Sequence, residues 1–137
     1  MTQEPSYCMK CAFFHYGTGN PDTVRLAEIL IDPCALIQAQ YLKQMFDNLS
    51  STAGKAYQNC ASNYDDILHK WLSGAVADLR DEIYNDAKNQ VQTALKYYYE
   101  CFDQLKNVKY PYHLGISLKN FCAFLMDAGG VIDQIGR

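Results

Sequence analysis

The chain has 137 residues, of which 49% are hydrophobic and 20% are charged, and its net charge is −3. These values predict one folded domain over 1–137, because glycine and proline are too sparse for a disordered chain. The small net charge and the lack of a basic stripe argue against a nucleic-acid partner, and no apolar run reaches the roughly 18 residues of a membrane span.

Residues 1–19 form an N-terminal segment ahead of a bundle predicted at 20–137. Residues 1–10 have no basic stretch followed by an apolar one, so no signal peptide is expected in this chain, and either the protein is cytosolic or its signal is absent from this sequence. Cys8 and Cys11 have the C-x-x-C spacing of a redox pair or half a zinc site. No strand precedes them and no second pair follows, so two cysteines on a short helix is the preferred interpretation.

The first long helix follows a turn at 17–21, with Asn20 or Asp22 as its predicted cap. Pro33 lies inside its apolar stripe and predicts a kink at 29–33, because proline removes a helical hydrogen bond. Cys34 is interpreted as a small buried residue rather than as part of a further disulfide. The stripe consists of Val24, Ala27, Leu30, Ile31, Cys34, Ile37, Tyr41, Met45 and Leu49. A loop is predicted at 50–54.

The central stretch, 57–101, contains two apolar faces separated by a polar break at 80–86. The first face consists of Tyr57, Cys60, Tyr64, Ile67, Trp71, Ala75 and Leu79, and the second of Val91, Ala94, Leu95, Tyr98, Cys101 and Leu105. Steps of three and four predict two helices, and the short break predicts an antiparallel pair. In such a pair Cys60 and Cys101 lie side by side, where a disulfide would clamp the hairpin near its open end.

An extended connector is predicted at 110–112, because the residue before a proline avoids helical angles. The last helix carries Leu114, Leu118, Phe121, Cys122, Leu125, Ala128 and Ile132, with a fray or bend expected at Gly129 and Gly130. The chain is therefore predicted to be all-α, an up-and-down four-helix bundle with a short N-terminal helical segment.

No constellation of catalytic or metal-binding residues is visible, so the chain is not expected to be an enzyme or to need a cofactor. His15, His69 and His113 lie in three different segments without ligand spacing. Asp65 and Asp66 are adjacent on a helix, about 100° apart, so they cannot share a proton. His69 is expected at the surface.

The run Tyr97–Tyr99 has no basic groove for base stacking. Tyr98 is therefore placed in the core, with Tyr97 and Tyr99 at its edge.

The hairpin pattern resembles the plant invertase and pectin methylesterase inhibitor family. The matching residues are Tyr57, Cys60, Tyr64, Ile67 and, 41 positions after Cys60, Cys101. The resemblance implies a four-helix bundle in which Cys60 and Cys101 form a disulfide between the second and third helices.

The resemblance extends to both ends of the chain. The segment Thr2-x-x-Pro5-x-x-Cys8 resembles the end of the family's N-terminal hairpin, where an earlier cysteine would fall before residue 1. We therefore expect a remnant of that hairpin, with Cys8 lacking its usual partner. Cys122 resembles a free cysteine that family members often carry in the last helix.

The resemblance also implies an enzyme target. Invertase inhibitors use a Pro-Lys-Phe segment between the second and third helices, and Tyr84, Asn85 and Asp86 stand at those positions here. Pectin methylesterase inhibitors tend to have Gly-Asp-Tyr-Asn, of which Tyr84 and Asn85 keep the last two. This favours pectin methylesterase, whose pectin-binding cleft the bundle would cover, over acid invertase. Further candidate contacts are Ser62, Asp66, Lys70, Lys88 and Gln92.

The resemblance implies secretion to the cell wall or vacuole, and six cysteines agree with a secreted chain. Asn48-Leu-Ser50 is then a possible glycosylation site. The family also contains pollen allergens without demonstrated inhibition, so a non-inhibitory secreted bundle is a second hypothesis. A cytosolic redox or zinc module at Cys8 and Cys11 is a third. The chain could be a monomer or a dimer.

Overall fold

The computed structural model describes residues 22–135, apart from the side chains of residues 52 and 53. The helices are α1 (Thr23–Ile29), α2 (Leu36–Ala53), α3 (Lys55–Asp66), α4 (Ser73–Arg80), α5 (Tyr84–Gln104) and α6 (Tyr112–Ile135), with π-helical turns at Leu30–Ala35 and Ile67–Leu72.

These elements form four antiparallel arms. The first arm is α1 and α2 with the π-helical turn between them, and the second is α3 and α4 with theirs. The third arm is α5 and the fourth is α6. Each arm packs against the arm before and after it in the chain, and the first also packs against the fourth. The predicted all-α, up-and-down four-helix bundle is confirmed. The N-terminal segment at 1–19 lies outside the described residues.

The first arm begins and bends where the sequence predicts. The Asp22 side chain caps α1 by accepting a hydrogen bond from the Arg25 backbone N–H at 2.7 Å. The arm bends at Asp32, whose φ of −126° and ψ of 104° are not helical, and the Asp32–Pro33 peptide bond is cis. The predicted kink at proline is present.

The interpretation of Cys34 as an unbridged residue is wrong. Cys34 is 2% exposed, and it is bonded in a disulfide whose partner lies outside the described residues. A cysteine on an apolar stripe has the same sequence pattern whether it is bridged or not. Its pairing depends on which segment approaches the kink in three dimensions, and helical periodicity carries no information about that.

The connections between the first three arms are shorter than predicted. The loop expected at 50–54 is helical up to Ala53, and Gly54 alone makes the turn, with a φ of 63° that favours glycine. The second arm ends where Glu82 adopts a φ of 62° and the Ile83 N–H donates to the Asp78 carbonyl at 2.8 Å. The polar break predicted at 80–86 is therefore only a three-residue connection at 81–83.

A chain of aromatic rings links the four arms through the core. Phe46 in the first arm lies 5.5 Å from Tyr64 in the second, measured between ring centroids. Tyr64 lies 5.4 Å from Phe121 in the fourth arm, which lies 6.3 Å from Tyr98 in the third. Tilted rings at these separations attract one another beyond the effect of area burial. The ring chain therefore connects all four arms within the core.

The fourth arm is continuous. The bend expected at Gly129 and Gly130 is absent, because α6 runs unbroken to Ile135. The cost of two glycines, about 1 kcal/mol each in an exposed helix, is offset where the helix buries an apolar face. Cys122 on this helix is the free cysteine of the described part of the chain, as expected.

Candidate interaction surface

The described residues contain no constellation typical of a metal or catalytic centre. Among residues 22–135 no group of three His, Cys, Asp or Glu side chains is placed to hold a metal ion. His69 lies at the surface and pairs with Asp65 at 3.4 Å, and Lys70 pairs with Asp66 at 3.5 Å. The two adjacent carboxylates thus have different partners, as their helical angle predicts. In the same part of the chain, no helix has the length and apolarity to cross a bilayer.

The second and third arms are joined covalently near their open end. Cys60 and Cys101 form a disulfide with a Cα–Cα distance of 4.9 Å, and both residues are fully buried. The predicted pairing is confirmed. The second and third arms therefore form a clamped hairpin with a fixed spacing between its two helices.

Polar side chains follow the outer line between these two arms. The Asn59 amide donates to the Gln104 side chain at 2.7 Å, and the Asn63 amide donates to the Tyr97 carbonyl at 3.1 Å. Towards the other end, the Gln90 amide donates to Asp78 at 3.2 Å. We call this line the hairpin seam. It consists of Asn59, Asn63, Asp66, Lys70, Trp71, Asp78, Gln90, Tyr97 and Gln104.

A π-helical turn in the second arm brings an aromatic pair to the seam. In Ile67–Leu72 the helix widens, and the Ser73 hydroxyl donates to the Leu68 carbonyl at 2.9 Å. Trp71, in this turn, packs edge-on against Tyr97 with 5.6 Å between ring centroids. The Trp71 Nε1–H is buried and has no acceptor among the described residues. Such turns are frequent at functional sites.

The two arms approach each other closely at Gly74. A Cβ atom placed there would come within 2.4 Å of the Gln90 Nε2, so the Gln90 side chain lies directly over the Gly74 backbone. Glycine at this position lets Gln90 lie flat across the seam and reach Asp78. The seam is consequently shallow here.

The structure separates the partner-binding residues predicted from the sequence into three groups. By helical spacing, Asp66 and Lys70 fall on the seam side of the second arm, one and two turns after Asn63, and they pair with each other. Tyr84 and Asn85 were predicted in a turn, but they form the first turn of α5, with Tyr84 half-buried and Asn85 exposed. Lys88 contacts Asp133 of the fourth arm in an ion pair, so it lies on the other side of the hairpin.

The beginning of α5 borders a cleft with several charged side chains, at the end of the bundle that holds the connection 81–83. Tyr84 lines this cleft together with Arg25, Glu28, Arg80 and Glu82. The Glu28 carboxylate accepts hydrogen bonds from Arg25 at 3.4 Å and Arg80 at 3.2 Å, which ties the first arm to the second. The arginines thus neutralise a carboxylate that is largely buried.

The remaining predicted residues are exposed on other surfaces. Ser62 and Gln92 lie outside the seam, and the Asn48 side chain of the predicted glycosylation site is exposed on α2. Sequence reasoning missed Asn59, Asn63 and Gln104. Asn59 and Asn63 are four positions apart and flank Cys60. Two amide side chains at helical spacing beside a disulfide cysteine are the sequence feature that could have identified them.

The sequence matches the model of the family described as plant invertase/pectin methylesterase inhibitor over residues 1–125. Comparison with curated protein sequences gives no match.

Two solved structures are similar to this fold. The crystal structure of a pectin methylesterase inhibitor from Arabidopsis thaliana has a TM-score of 0.78 and 19% identity, covering 99% of this chain and 91% of that one. A mutant form of a pectin methylesterase inhibitor from Arabidopsis has a TM-score of 0.80 and 18% identity, covering 96% of this chain and 90% of the other. At these identities the likeness shows the fold alone.

Proposed function

Because the chain belongs to the plant invertase/pectin methylesterase inhibitor family, we propose that it is a secreted protein inhibitor of pectin methylesterase. Members of this family bind and inhibit pectin methylesterase or invertase and are not themselves enzymes. The single observation that carries the proposal is the match of the family model over residues 1–125.

The clamped hairpin supplies the physical basis for inhibition. Its two helices are held by the Cys60–Cys101 disulfide and by hydrogen bonds along the seam. A surface that is rigid before binding loses less conformational entropy on association. We infer that the hairpin seam lies over the pectin-binding cleft of the enzyme and excludes the polymer. Asp66 and Lys70 are the charged contacts of this proposal.

The choice of esterase over invertase depends on the beginning of α5. Tyr84 and Asn85 replace the first two residues of the Pro-Lys-Phe segment of invertase inhibitors, and they match the last two residues of the segment typical of esterase inhibitors. Asn85 is exposed and available for contact. Lys88, one turn further along, is a secondary candidate that would be used only if the enzyme also reaches the fourth arm.

Secretion to the cell wall is the family's localisation, and the proposal assigns it to this chain. The buried disulfide-bonded residues, Cys34 and the Cys60–Cys101 pair, support it, because disulfides persist in oxidising compartments. In that setting Asn48 is the proposed glycosylation site.

Titration of a plant pectin methylesterase and an acid invertase with the purified chain at mildly acidic pH tests the proposal. We expect stoichiometric loss of esterase activity and unchanged invertase activity. The Tyr84→Ala/Asn85→Ala variant should inhibit more weakly, because it removes the side chains at the beginning of α5. Asn107→Ala, an exposed change beyond the third arm, is the control.

Inhibition of invertase alone would contradict the choice of pectin methylesterase and favour an inhibitor of acid invertase. Inhibition of neither enzyme by a folded chain would favour a non-inhibitory secreted bundle.

A further inference from the structure

A cleft of about 390 Å³ lies between the third and fourth arms, away from the hairpin seam. We call it the aromatic cleft. Its lining consists of Tyr98, Tyr99, Phe102, Tyr110, Gly115, Leu118, Lys119 and Cys122. Four of these eight residues are aromatic, whereas aromatic residues make up 13% of the whole chain.

The rings at the mouth of the aromatic cleft are exposed. Tyr99 is 53% exposed and Phe102 is 45% exposed. Tyr98 lies behind them, with its ring edge-on to Tyr99 at 5.1 Å and nearly parallel to Phe102 at 5.8 Å. The rings are therefore held in a fixed arrangement before anything binds, and a further ring could stack on or meet the edge of the exposed ones.

One end of the cleft is closed by Tyr110 of the connector. A Cβ atom on Gly115 would lie 3.2 Å from the Tyr110 Cε1, so the absence of a side chain at 115 lets the tyrosine ring lie against α6. Tyr110 thus bounds the cleft at this end, and the cleft is open to solvent elsewhere. Its volume of about 390 Å³ suits a molecule of one or two rings.

Polar groups converge at the floor of the cleft. The Cys122 side chain is 5% exposed, and burial raises the pKa of its thiol, while hydrogen bonds to the Tyr99 and Tyr98 hydroxyls oppose that shift. The thiol also lies 3.8 Å from the Met126 sulfur, to which it donates. The floor therefore offers two tyrosine hydroxyls and a thiol, and each hydroxyl can still accept a hydrogen bond from a bound molecule.

We propose that the aromatic cleft is a binding site for a small planar phenol of one or two rings. The aromatic walls fit the faces and edges of such a ring, and the tyrosine hydroxyls and Cys122 thiol form hydrogen bonds with its hydroxyl group. The volume lies within the range of small-molecule sites, about 300 to 1,000 Å³. The proposal does not depend on the identity of the inhibited enzyme, because no residue belongs to both the aromatic cleft and the hairpin seam.

Protection of Cys122 from alkylation measures occupancy of the cleft directly. The full-length oxidised chain is treated with iodoacetamide at several concentrations of p-cresol, and the Cys122 peptide is quantified by mass spectrometry. We expect the alkylation rate to fall about tenfold at ten times the Kd of p-cresol, because only about one-tenth of the clefts is then open. The isosteric non-aromatic 4-methylcyclohexanol should protect at least about tenfold less well.

A matched pair of variants tests the location. Phe102→Ala removes a wall of the cleft and should raise the Kd of p-cresol about tenfold. Tyr41→Ala removes a ring of similar exposure, 44%, on the first arm and should leave the Kd unchanged. The Kd comes from the concentration dependence of protection, so a change in the basal alkylation rate does not affect it.

Failure of p-cresol to protect Cys122 would overturn the proposal. So would equal protection by 4-methylcyclohexanol, or an unchanged Kd in the folded Phe102→Ala variant.

Discussion

Tyr64 illustrates how a single residue can be essential to the packing of the core and still have a polar group without a hydrogen bond within the part of the chain that the structure describes. Its ring contacts Phe46 and Phe121, and its side chain is fully buried, yet its hydroxyl has no partner among the described residues. Burial raises the pKa of this hydroxyl well above its ordinary value, and burial raises the pKa of Tyr98 as well. The core thus contains phenols that resist ionisation.

These raised pKa values predict that the protein loses stability at alkaline pH. Tyrosines in the unfolded chain ionise near a pH of about 10, whereas Tyr64 and Tyr98 stay protonated in the fold. Their contribution is fully present below about pH 10 and is lost as the pH rises towards the folded pKa values. At about pH 11 the loss is on the order of 1 kcal/mol for each of the two tyrosines. Urea unfolding between about pH 8 and about pH 11 spans this window and measures the loss.

The Tyr64→Phe variant is the control for this pH dependence. It keeps the ring and removes the ionisable group. The unfolding free energy of the variant should therefore fall less with rising pH than that of the unchanged protein, and the difference is the contribution of one tyrosine. The comparison is made in a Cys122→Ala background, because the buried thiol also has a raised pKa and loses stability in the same direction. Equal slopes with and without the Tyr64 hydroxyl would contradict the account.

At the scale of elements, apolar spacing predicted the helices, whereas the details of their connections depend on single backbone conformations. The stripes ending at Leu49 and beginning at Tyr57 predicted two helices, but only the left-handed φ of Gly54 shows that one residue makes the turn. The π-helical turn that presents Trp71 to Tyr97 has no periodic signature in the sequence. It is visible only in the structure, where Trp71 meets Tyr97 of the third arm.

The clamped hairpin should depend strongly on its disulfide. The Cys60→Ala/Cys101→Ala variant frees a loop of about 40 residues in the unfolded state, and the chain-entropy model gives a loss of about 4 kcal/mol in unfolding free energy. Alanine avoids placing a hydroxyl in a fully buried position. Urea denaturation under non-reducing conditions is the measurement.

Cys122→Ala is the matched control for the disulfide, because it removes a buried cysteine without opening a bridge. It should cost far less than the double variant. A double variant as stable as the control would show that the seam hydrogen bonds hold the hairpin by themselves.

At the scale of the whole molecule, the two candidate surfaces lie on different parts of the bundle. The hairpin seam runs between the second and third arms, and the aromatic cleft lies between the third and fourth. Sequence resemblance predicted the bundle and Asp66 and Lys70 on the hairpin. It could not predict that Lys88 is paired with Asp133, because that contact requires α5 to be placed against α6.

The central claim is that the outer surface of the clamped hairpin binds pectin methylesterase, and inhibition by matched charge variants tests it most directly. Asn59→Glu/Lys70→Glu changes two exposed positions on the seam. Asn107→Glu/Lys106→Glu makes the same chemical change at two exposed positions beyond the third arm. The inhibition constant of each variant is compared with that of the unchanged chain. We expect the seam variant to inhibit about tenfold more weakly or worse, and the control to differ little. Equal inhibition by the two variants would contradict the account.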